Sequence, residues 1–385
     1  MRPVSFGAGI VRLARNADLP CGRKVATCLL LMAALLVAAP HVQAQTTVTD
    51  IRGRQVTIPA GPPKLLIDDG RMLLALALIH PDPVSLITAW PHDSDRLGQQ
   101  VYERLRARSP QLDRLTRVPS SAATFSLEQA IAARPSVAVY TLGRGPSDAQ
   151  LRQFEAAKIP VVFVDFLSQP FEHVERSLAI LGQIAGRTEQ AEQFLAWRRA
   201  RMARISDAVA ASSSGRRPKV FFEAHAGISA CCNSPGRGNI GTYITFVGGH
   251  NIGADVLPGA SGRLNVEYVV SQQPDVYIMT GGPHLAKAGG YVVGPEFDVD
   301  ESRRSLRAML GRTGLGLLPA VKAGRVYGLS HQLLNSPLDI LAVESLAAWI
   351  RPDLFPSLDP AATLRELNER FLAVPLEGPL WTTLH

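Results

Sequence analysis

Hydrophobic residues along the chain fall into short runs separated by turn residues and by amphipathic segments. The runs predict buried strands over 64–68, 84–90, 137–142, 161–166, 219–224, 276–280 and 325–329. Between them, helical spacing predicts helices over 72–79, 126–133, 151–158, 171–184, 240–247, 267–272, 303–310, 339–349 and 360–371. Strands that alternate with helices predict an α/β fold with mostly parallel sheets and helices on both faces.

The segment 188–210 predicts one long helix near the middle of the chain. Thr188 is the predicted N-cap, and arginines crowd the later turns, where the helix dipole favours cations. A helix of this length spans about 35 Å. It either joins two lobes or lies on the surface of a single domain. Its apolar positions recur at helical spacing and form one stripe: Ala191, Leu195, Met202, Ile205 and Val209.

Two blocks of similar sequence on either side of this helix favour two lobes. Residues 127–140 read LEQAIAARPSVAVY, and residues 266–279 read VEYVVSQQPDVYIM. In both blocks a glutamate precedes a proline at the same spacing, and a strand follows the proline. Such internal similarity indicates duplicated architecture. The predicted organisation is an N-terminal lobe, a linking region that contains the long helix, and a C-terminal lobe: 45–169, 170–215 and 216–385.

The first 44 residues have the pattern of a secretory signal peptide. A basic lead precedes the apolar run 25–39, and small residues then predict cleavage after Ala44 and export to the periplasm. Cleavage removes five basic residues and one acidic residue, which lowers the formal net charge from +7 to +3. This charge gives no support for nucleic-acid binding. No later segment is apolar enough to cross a bilayer, so we expect no stable membrane insertion.

Several segments, in this order, resemble a known family: KLLIDDGRMLLALAL, SLEQAIAARPSVAVYT, IPVVFVDF, SLAILGQIAGRTEQAEQFLAWRR, FVGGHNIGAD, NVEYVVSQQPDVYIMTGG and LPAVKAGRVYGLSHQLLNSPLDILAVESLAAWIRPDLFP. The chain resembles the periplasmic substrate-binding proteins of ABC importers for iron–siderophores, haem and cobalamin. The resemblance implies two Rossmann-like lobes joined by a single long helix, with the ligand cleft between the lobes. It also implies a binding protein rather than an enzyme, with no catalytic residues and no cofactor apart from its cargo.

The resemblance further implies a partner, the permease dimer of an ABC importer, which family members contact through one glutamate per lobe. Glu128 and Glu267 match these positions. Two exposed carboxylates at a fixed distance can engage two basic sockets of a symmetric dimer. The alternative is that both are ordinary first-turn glutamates that stabilise their helices through the dipole. We expect the binding protein itself to be a monomer.

Ligands of open α/β sheets bind beyond the carboxyl ends of the strands. The predicted strand-end loops therefore supply the ligand-binding candidates: Asp69, Arg71, Trp90, His92 and Arg144 from the first lobe, and His225, Arg237, His284, Lys287 and His331 from the second. Arginine presents a fork of donors suited to carboxylate or catecholate oxygens, so this set fits an anionic Fe(III) chelate such as a ferric siderophore. The four histidines could instead bind a bare metal ion.

Cys231 and Cys232 are adjacent, and three interpretations stay open for them. They could form a vicinal disulfide in an oxidising compartment, bind a soft metal with His225 or His284, or be free thiols. A thiol-dependent enzyme would use Cys231 as nucleophile and His225 as base. The chain lacks CxxC and GxSxG motifs and has no GxGxxG between a strand and a helix, so no further motif supports that enzyme.

Overall fold

A computed structural model describes residues 45–120, 124–212 and 215–384. The signal peptide predicted over residues 1–44 lies outside the described residues. The chain from Gln45 onward forms one compact unit. Two five-stranded sheets with helices around them follow one another within this unit, which confirms the predicted α/β class. None of the helices in the described ranges has the length and apolar character that a bilayer crossing requires.

The strands, in chain order, are β1 Thr46–Thr49, β2 Gln55–Ile58, β3 Leu65–Ile67, β4 Ile87–Trp90, β5 Thr116–Arg117, β6 Val137–Thr141, β7 Val161–Val164, β8 Lys219–Glu223, β9 Asn233–Pro235, β10 His250–Asn251, β11 Ser261–Arg263, β12 Val276–Gly281, β13 Val326–Ser330 and β14 Trp381–Thr383. The α-helices are α1 Arg71–Ala77, α2 Ser94–Leu97, α3 Gln99–Arg108, α4 Leu127–Ala132, α5 Asp148–Ala156, α6 Pro170–Ile184, α7 Thr188–Ala211, α8 Ile240–Phe246, α9 Gly253–Val256, α10 Val266–Gln272, α11 Val299–Leu310, α12 Pro319–Lys322, α13 Asp339–Ile350 and α14 Pro360–Arg370. Short 3₁₀ helices lie at Pro83–Leu86, Pro110–Arg114, Pro283–Ala288, Leu315–Leu317 and His331–Asn335.

The first sheet has the strand order β5-β4-β3-β6-β7, and all its pairs are parallel. Its inner strands are apolar and buried along almost their whole length, as expected of a parallel sheet covered on both faces. Leu66 and Ala138 on one face pack with Phe154 of helix α5. Leu65 and Val139 on the opposite face belong to the main core of the protein.

The second sheet has the order β10-β8-β12-β13-β14, with β14 antiparallel to β13. The prediction that helices close the chain missed this last strand. Phe221 and Tyr277 on one face pack with Leu306 of helix α11. Phe222 and Ile278 on the other face join the same core as the first sheet. The two sheets therefore share one continuous apolar cluster, although the lobe boundaries at 169 and 215 stay a prediction.

The two similar blocks occupy the same place in their sheets. Helix α4 leads into β6, which pairs with β3, the first strand of its sheet along the chain. Helix α10 leads into β12, which pairs with β8, the corresponding strand of the second sheet. Both connections put parallel strands side by side. This equivalence supports the duplicated architecture that the sequence predicts.

The long central helix is present as α7, and it packs against α6 and α13. Four residues of the predicted stripe are buried, and Phe194 and Arg198 are buried with them. The predicted N-cap was wrong, because Thr188 lies inside the helix, whose N-cap is Arg187 without a side-chain cap. Val209, the last residue of the stripe, is partly buried.

Arg198 ties the long helix to the second half of the chain. Its Nε and Nη2 donate to the buried Asp339 carboxylate at 2.9 and 2.7 Å. The Tyr243 hydroxyl donates to the same carboxylate at 3.0 Å, and Arg198 Nη1 donates to Glu175 at 3.1 Å. A buried charge needs such partners because its desolvation is costly. The pair fixes helix α7 against the start of helix α13.

Candidate functional site

Three arginines extend from the carboxyl ends of three adjacent strands of the first sheet. Arg96 lies on helix α2 after β4, Arg71 begins helix α1 after β3, and Arg144 follows β6. Parallel strands end at the same edge of a sheet, so these side chains converge. We call Arg71, Arg96 and Arg144 the arginine wall.

The buried Asp69 carboxylate lies against all three side chains of the arginine wall. Arg71 donates to its carboxylate through Nε and Nη2 at 2.9 and 2.6 Å, and Arg96 Nη1 donates at 3.0 Å. Arg144 Nη1 lies 3.6 Å from the same carboxylate. Burial acts to raise the pKa of Asp69, but the charges and hydrogen bonds of Arg71, with the charge of Arg96, outweigh it and hold the pKa well below its ordinary value.

Two further carboxyls lie close to Asp69 and titrate in the opposite direction. Burial raises the pKa of Asp93 to about 7, and the negative charge of Asp69 adds to the rise. Burial likewise raises the pKa of Asp68 to about 6. Asp93 Oδ1 accepts from the Gly70 backbone at 3.0 Å, where a Cβ would lie only 2.7 Å from that oxygen. The turn before Arg71 therefore requires glycine at position 70.

Three histidines occupy the corresponding edge of the second sheet. His225 follows β8, His284 follows β12 and His331 follows β13, which are again adjacent strands. We call these three residues the histidine wall. His225 Nδ1 lies 2.8 Å from His284 Nε2, and the rings of His225 and His331 are 3.8 Å apart between centroids. His225 has a φ of +53°, a conformation that is uncommon outside glycine and turns its ring into the cleft.

The histidine wall is uncharged at neutral pH. Burial lowers the pKa of His225 to about 4, and the nearby His284 and Arg71 add to the shift. Burial also lowers the pKa of His284 and lowers that of His331 well below its ordinary value. The buried Thr280 hydroxyl accepts from the His225 backbone N–H at 3.0 Å and lies 3.0 Å from His331 Nδ1. Two of the three histidines are thus positioned by one side chain.

The two walls face each other across a cavity of about 490 Å³. Pockets for small ligands are typically about 300–1,000 Å³, so this volume suits a small molecule. The residues that line it are Arg71, Asp95, Arg96, Arg144, Leu167, His225, His284, His331, Gln332 and Asn335. Arg71 Nη1 lies 2.5 Å from the Asn335 amide oxygen when that oxygen is turned toward it. Arg71 therefore contacts the end of the 3₁₀ helix His331–Asn335 at the cavity.

Contacts between the two halves of the chain also fix the rim of the cleft. Glu296 accepts from the backbone N–H groups of Gln99 and Gln100 at 2.6 and 3.4 Å, at the start of helix α3. Gln332 Nε2 donates to the Asp95 carbonyl at 3.2 Å. A carboxylate at a helix N-terminus is favoured by the unpaired N–H groups and the dipole. These bonds hold the two halves of the chain together beside the cavity.

Of the ten predicted ligand-binding residues, five line the cavity and Asp69 supports it from below. Trp90 is fully buried in the core, and His92 stacks on it and bonds the Leu115 carbonyl at 2.9 Å. Arg237 lies in a separate surface depression, with its Nε bonded to the Ala254 carbonyl. Lys287 lies on the 3₁₀ helix after β12, outside the cavity lining.

Sequence reasoning missed five residues of the cavity lining: Asp95, Arg96, Leu167, Gln332 and Asn335. Arg96 and Asp95 lie on the short helix α2, whose four residues are too few to give a periodic signal. Gln332 and Asn335 follow His331 in the 3₁₀ helix. Their position just after a predicted strand could have marked them as candidates for the cavity.

The structure joins Cys231 and Cys232 in a vicinal disulfide. The pair lies between β8 and β9, with Cys232 buried, and neither cysteine is among the residues that line the cavity. In this oxidised form neither sulfur is a thiolate that could attack a substrate or bind a metal. Among the described residues, no group of three or more His, Cys, Asp or Glu side chains is arranged to hold a metal ion by itself.

The family model described as periplasmic binding protein matches residues 76–333, which is more than half of the chain. The chain belongs to the periplasmic binding protein family. This confirms the family resemblance that the sequence motifs indicate. A cobalamin-binding protein of Halobacterium salinarum is 38% identical to this periplasmic binding protein over 109 residues, which is 28% of each chain. The chain thus spans 28% of the length of the curated relatives that it matches.

Solved structures share the fold of this periplasmic binding protein. The TroA-like periplasmic binding protein FepB from Veillonella parvula superposes with a TM-score of 0.78 at 24% identity, over 88% of this chain and 99% of the other. A periplasmic heme binding protein from Pseudomonas aeruginosa gives a TM-score of 0.55 at 19% identity, over 84% and 98% of the two chains. At these identities the likeness concerns the fold alone, which is TroA-like.

Proposed function

We propose that this periplasmic binding protein captures an anionic ferric siderophore or a related metal chelate and delivers it to an ABC importer. The observation that carries the proposal is the pairing of two walls around one cavity. Arg71, Arg96 and Arg144 stand on one side, and the histidine wall stands on the other. Against these three guanidiniums, the cavity lining itself contributes one acidic side chain, Asp95, and Asp69 lies beneath it. The cavity therefore favours a ligand that brings its own negative charge.

Arg144 is the arginine most available to a ligand. Its side chain is 39% exposed and, unlike Arg71 and Arg96, makes no hydrogen bond to Asp69, whose carboxylate lies 3.6 Å away. A guanidinium can donate to two oxygens of a carboxylate or catecholate at once, and such charge-assisted bonds are short and strong. In this proposal Arg144 supplies the donors that meet the anionic part of the cargo.

The relatives support the same class of cargo. One is a cobalamin-binding protein, one a FepB and one a heme binding protein, by their own descriptions. Membership of the family also supports export to the periplasm and an importer as partner. A fold does not fix its ligand, so the charge and donors of the cavity decide between these cargoes. We infer an anionic metal chelate on that basis.

Glu128 and Glu267 are the proposed contacts to the permease. Each lies in the first turn of an equivalent helix, α4 or α10, and each is exposed. Ser126 and Asn265 cap these helices by accepting from backbone N–H groups. The duplicated architecture thus gives one carboxylate per half of the chain, which suits a permease dimer with two equivalent basic sites.

A bare metal ion is the second candidate, because three of the four predicted histidines gather in the cavity. The arginine wall weighs against it. Arg71 lies close enough to His225 to lower the pKa of that imidazole, and the same repulsion acts on a bound cation. The thiol-dependent enzyme has no comparable support, since Cys231 is in a disulfide.

The test is isothermal titration calorimetry of the mature protein with ferric hydroxamate, catecholate and citrate complexes, haem, cobalamin and bare Fe³⁺ or Zn²⁺. We expect saturable binding of at least one anionic ferric chelate, tighter than that of any bare ion. Tight binding of a bare ion alone would favour the second candidate. No heat with any member of this series would contradict the proposed function.

A further inference from the structure

We infer that the open edge of strand β2, with the groove beside it, binds an extended acidic segment of a partner protein by strand addition. This surface is separate from the cargo cleft, so the inference goes beyond the proposed function and does not rest on it. The groove has a volume of about 420 Å³ and lies between β2, helix α5 and the start of β7. We call it the β2 groove.

The outer edge of β2 presents unpaired backbone groups. β1 and β2 form a sheet of two strands, so β2 has a neighbouring strand on one side alone. The Asp50 N–H donates to the Arg54 carbonyl at 2.9 Å, and the register continues from this pair along both strands. Hydrogen-bonded pairs alternate along an antiparallel ladder, so Gln55 and Thr57 direct their N–H and C=O groups away from β1. In the described ranges, no hydrogen bond links these groups to any other element.

The edge of the first sheet differs from the edge of β2, because the same hairpin covers it. β7 is the last strand of that sheet. Arg54 Nη2 donates to the Val161 carbonyl at 2.8 Å, and the Ile51 N–H donates to the Phe163 carbonyl at 3.0 Å. The Phe163 N–H donates to the Asp50 carboxylate at 3.3 Å. The hairpin thus satisfies β7 and leaves its own edge open, and an open edge is a template for another strand.

Apolar side chains form the floor of the β2 groove. Val56 lies on the same face of the hairpin as the buried Val48 and Ile58, and it lines the groove together with Leu151 of helix α5 and Ile159. Side chains alternate between the two faces of a strand, so every second side chain of an added strand enters the groove. Strand addition takes its affinity from the backbone and its specificity from these alternate side chains. The groove therefore suits an extended peptide with apolar residues at alternate positions.

The rim of the β2 groove carries a surplus of positive charge. Arg152 and Lys158 are exposed, and neither takes part in a salt bridge within the described part of the chain. Arg54 is already matched by the buried Asp50, 2.6 Å away. Glu155 is the acidic residue of the lining, so the two exposed cations outnumber it. Acidic side chains of a partner are attracted by this surplus.

Charge also argues against two other occupants of the edge. A second copy of this chain would bring Arg152 and Lys158 of its own groove to the same edge, and like charges in contact oppose association. The predicted leader over residues 1–44 has five basic residues and one acidic residue. An acidic segment of another protein is the occupant that the charge favours.

The β2 groove and the cleft lie at opposite edges of the first sheet. Residues 158–160 precede β7, whereas the arginine wall follows the carboxyl ends of β3, β4 and β6. Glu128 begins a helix that leads back into β6, so it also lies toward the carboxyl edge. A partner in the groove therefore leaves the cleft and the proposed permease contacts free, and cargo affinity should not change when the partner binds.

Phage display of random dodecapeptides on the mature protein is the test, because it samples many extended sequences at once. We expect enriched peptides that combine Asp or Glu with apolar residues at alternate positions. Amide hydrogen exchange of the wild-type protein should slow at Gln55 and Thr57 when the most enriched peptide binds. No enrichment, enrichment of peptides without this acidic alternating pattern, or protection at other segments alone would overturn the inference.

A proline at the open edge tests the backbone contribution. Thr57→Pro removes an outward N–H and leaves the pairing with β1 intact, and it should weaken binding of the selected peptide at least about tenfold. Thr47→Pro is the matched control, because Thr47 faces Thr57 across the hairpin and its N–H points away from the β2 edge. Equal binding by Thr57→Pro and the wild type, or an equal loss in both variants, would overturn strand addition at this edge.

Two variants of opposite sign test the charge. Arg152→Glu should weaken binding of the acidic peptide about 5- to 10-fold, and Glu155→Lys should strengthen it. Arg216→Glu is the control, since that side chain is 82% exposed and lies outside the groove lining. Unchanged affinity in both charge variants would contradict an acidic partner. A dimer in light scattering that Thr57→Pro dissociates would assign the edge to a second copy of the chain and overturn the inference as well.

Discussion

At the scale of single residues, the position of the arginine wall depends on one buried carboxylate. Asp69 binds Arg71 and Arg96 directly and lies beside Arg144. Burial, with the negative charge of Asp69 added to it, raises the pKa of a second carboxyl, Asp93, to about 7 in the folded protein. Asp93 Oδ2 is buried without a hydrogen-bond partner, although Arg96 Nε is 3.7 Å away. The cluster thus contains one ionised carboxylate, Asp69, and one protonated carboxyl group, Asp93.

This arrangement predicts how Asp93→Asn changes stability with pH. The folded protein keeps the Asp93 proton up to about pH 7, whereas the unfolded chain releases it near its ordinary pKa of 3.8. Between these values the folded state binds more protons, so Asp93 destabilises the wild type increasingly as pH rises. In thermal unfolding, the stability of the Asp93→Asn variant relative to the wild type should therefore increase from pH 5 to pH 8.

Asp300→Asn is the control, because that side chain is 75% exposed. It should show no comparable gain with pH. A stability difference between Asp93→Asn and the wild type that stays constant from pH 5 to pH 8 would contradict the protonation state proposed for Asp93.

The sequence could locate half of the residues that line the cavity, because these residues follow recognisable strands. His225 and His331 come within two residues of a strand end, and Arg71 comes four residues after β3. Trp90 was misplaced for the opposite reason, since it is the last residue of β4 and its side chain turns into the core. Orientation at a strand end depends on packing from distant elements, and a single sequence does not reveal that packing.

At the scale of elements, the long helix owes its position to a charge as well as to an apolar stripe. Arg198 is 1% exposed and pairs with Asp339 of helix α13. Spacing alone predicted the length of α7 and most of its buried face. It assigned Arg198 to a group of dipole-favoured cations, because the partner lies far away in sequence and only the fold brings it near. The local sequence was enough to predict that helix α7 exists. It was not enough to predict that the helix packs against helix α13.

The pair predicts a large cost for removing one partner. Arg198→Met should lower the free energy of unfolding by about 3–5 kcal/mol, because Asp339 stays buried without its counter-charge. Arg199→Met is the matched control on the next residue, which is 45% exposed, and should cost less than about 1 kcal/mol. Urea unfolding measures both.

A double variant tests the coupling itself. Asp339→Asn removes the charge that Arg198→Met leaves unpaired, so the two changes together should cost less than the sum of the separate costs. Additive costs would mean that the ion pair does not hold helix α7 to helix α13.

At the scale of the whole molecule, duplication gives each half of the chain the same frame with different chemistry. The strand ends after β3 and β6 carry arginines, and the equivalent ends after β8 and β12 carry histidines. The outer surface keeps its symmetry, since Glu128 and Glu267 occupy equivalent helices. In the proposed function, the inner surface determines the cargo and the outer surface fits a symmetric partner.

This division predicts separable effects on transport and binding. Glu128→Arg with Glu267→Arg should abolish delivery of the cargo to the importer, because the two introduced arginines would repel the basic sites of the permease. Cargo affinity should be unchanged. Uptake assays with reconstituted importer and calorimetry with cargo measure the two quantities. Glu189→Arg, also an exposed first-turn glutamate, is the control and should transport normally.

A double Glu128→Arg, Glu267→Arg variant that delivers cargo as well as the wild type would place the permease contact elsewhere on the surface. A variant that loses cargo affinity as well would link these helices to the cleft, contrary to the separation of the inner and outer surfaces.

The most direct test of the central claim compares cargo affinity in Arg144→Gln and Arg152→Gln by calorimetry, with the ferric chelate that the wild type binds most tightly. Arg144 lines the cavity, whereas Arg152 is exposed on helix α5 outside it. Loss of a charge-assisted bond should weaken binding by about 10- to 100-fold in Arg144→Gln. Arg152→Gln should bind like the wild type. Equal affinity in both variants would contradict a cleft built for an anionic metal chelate.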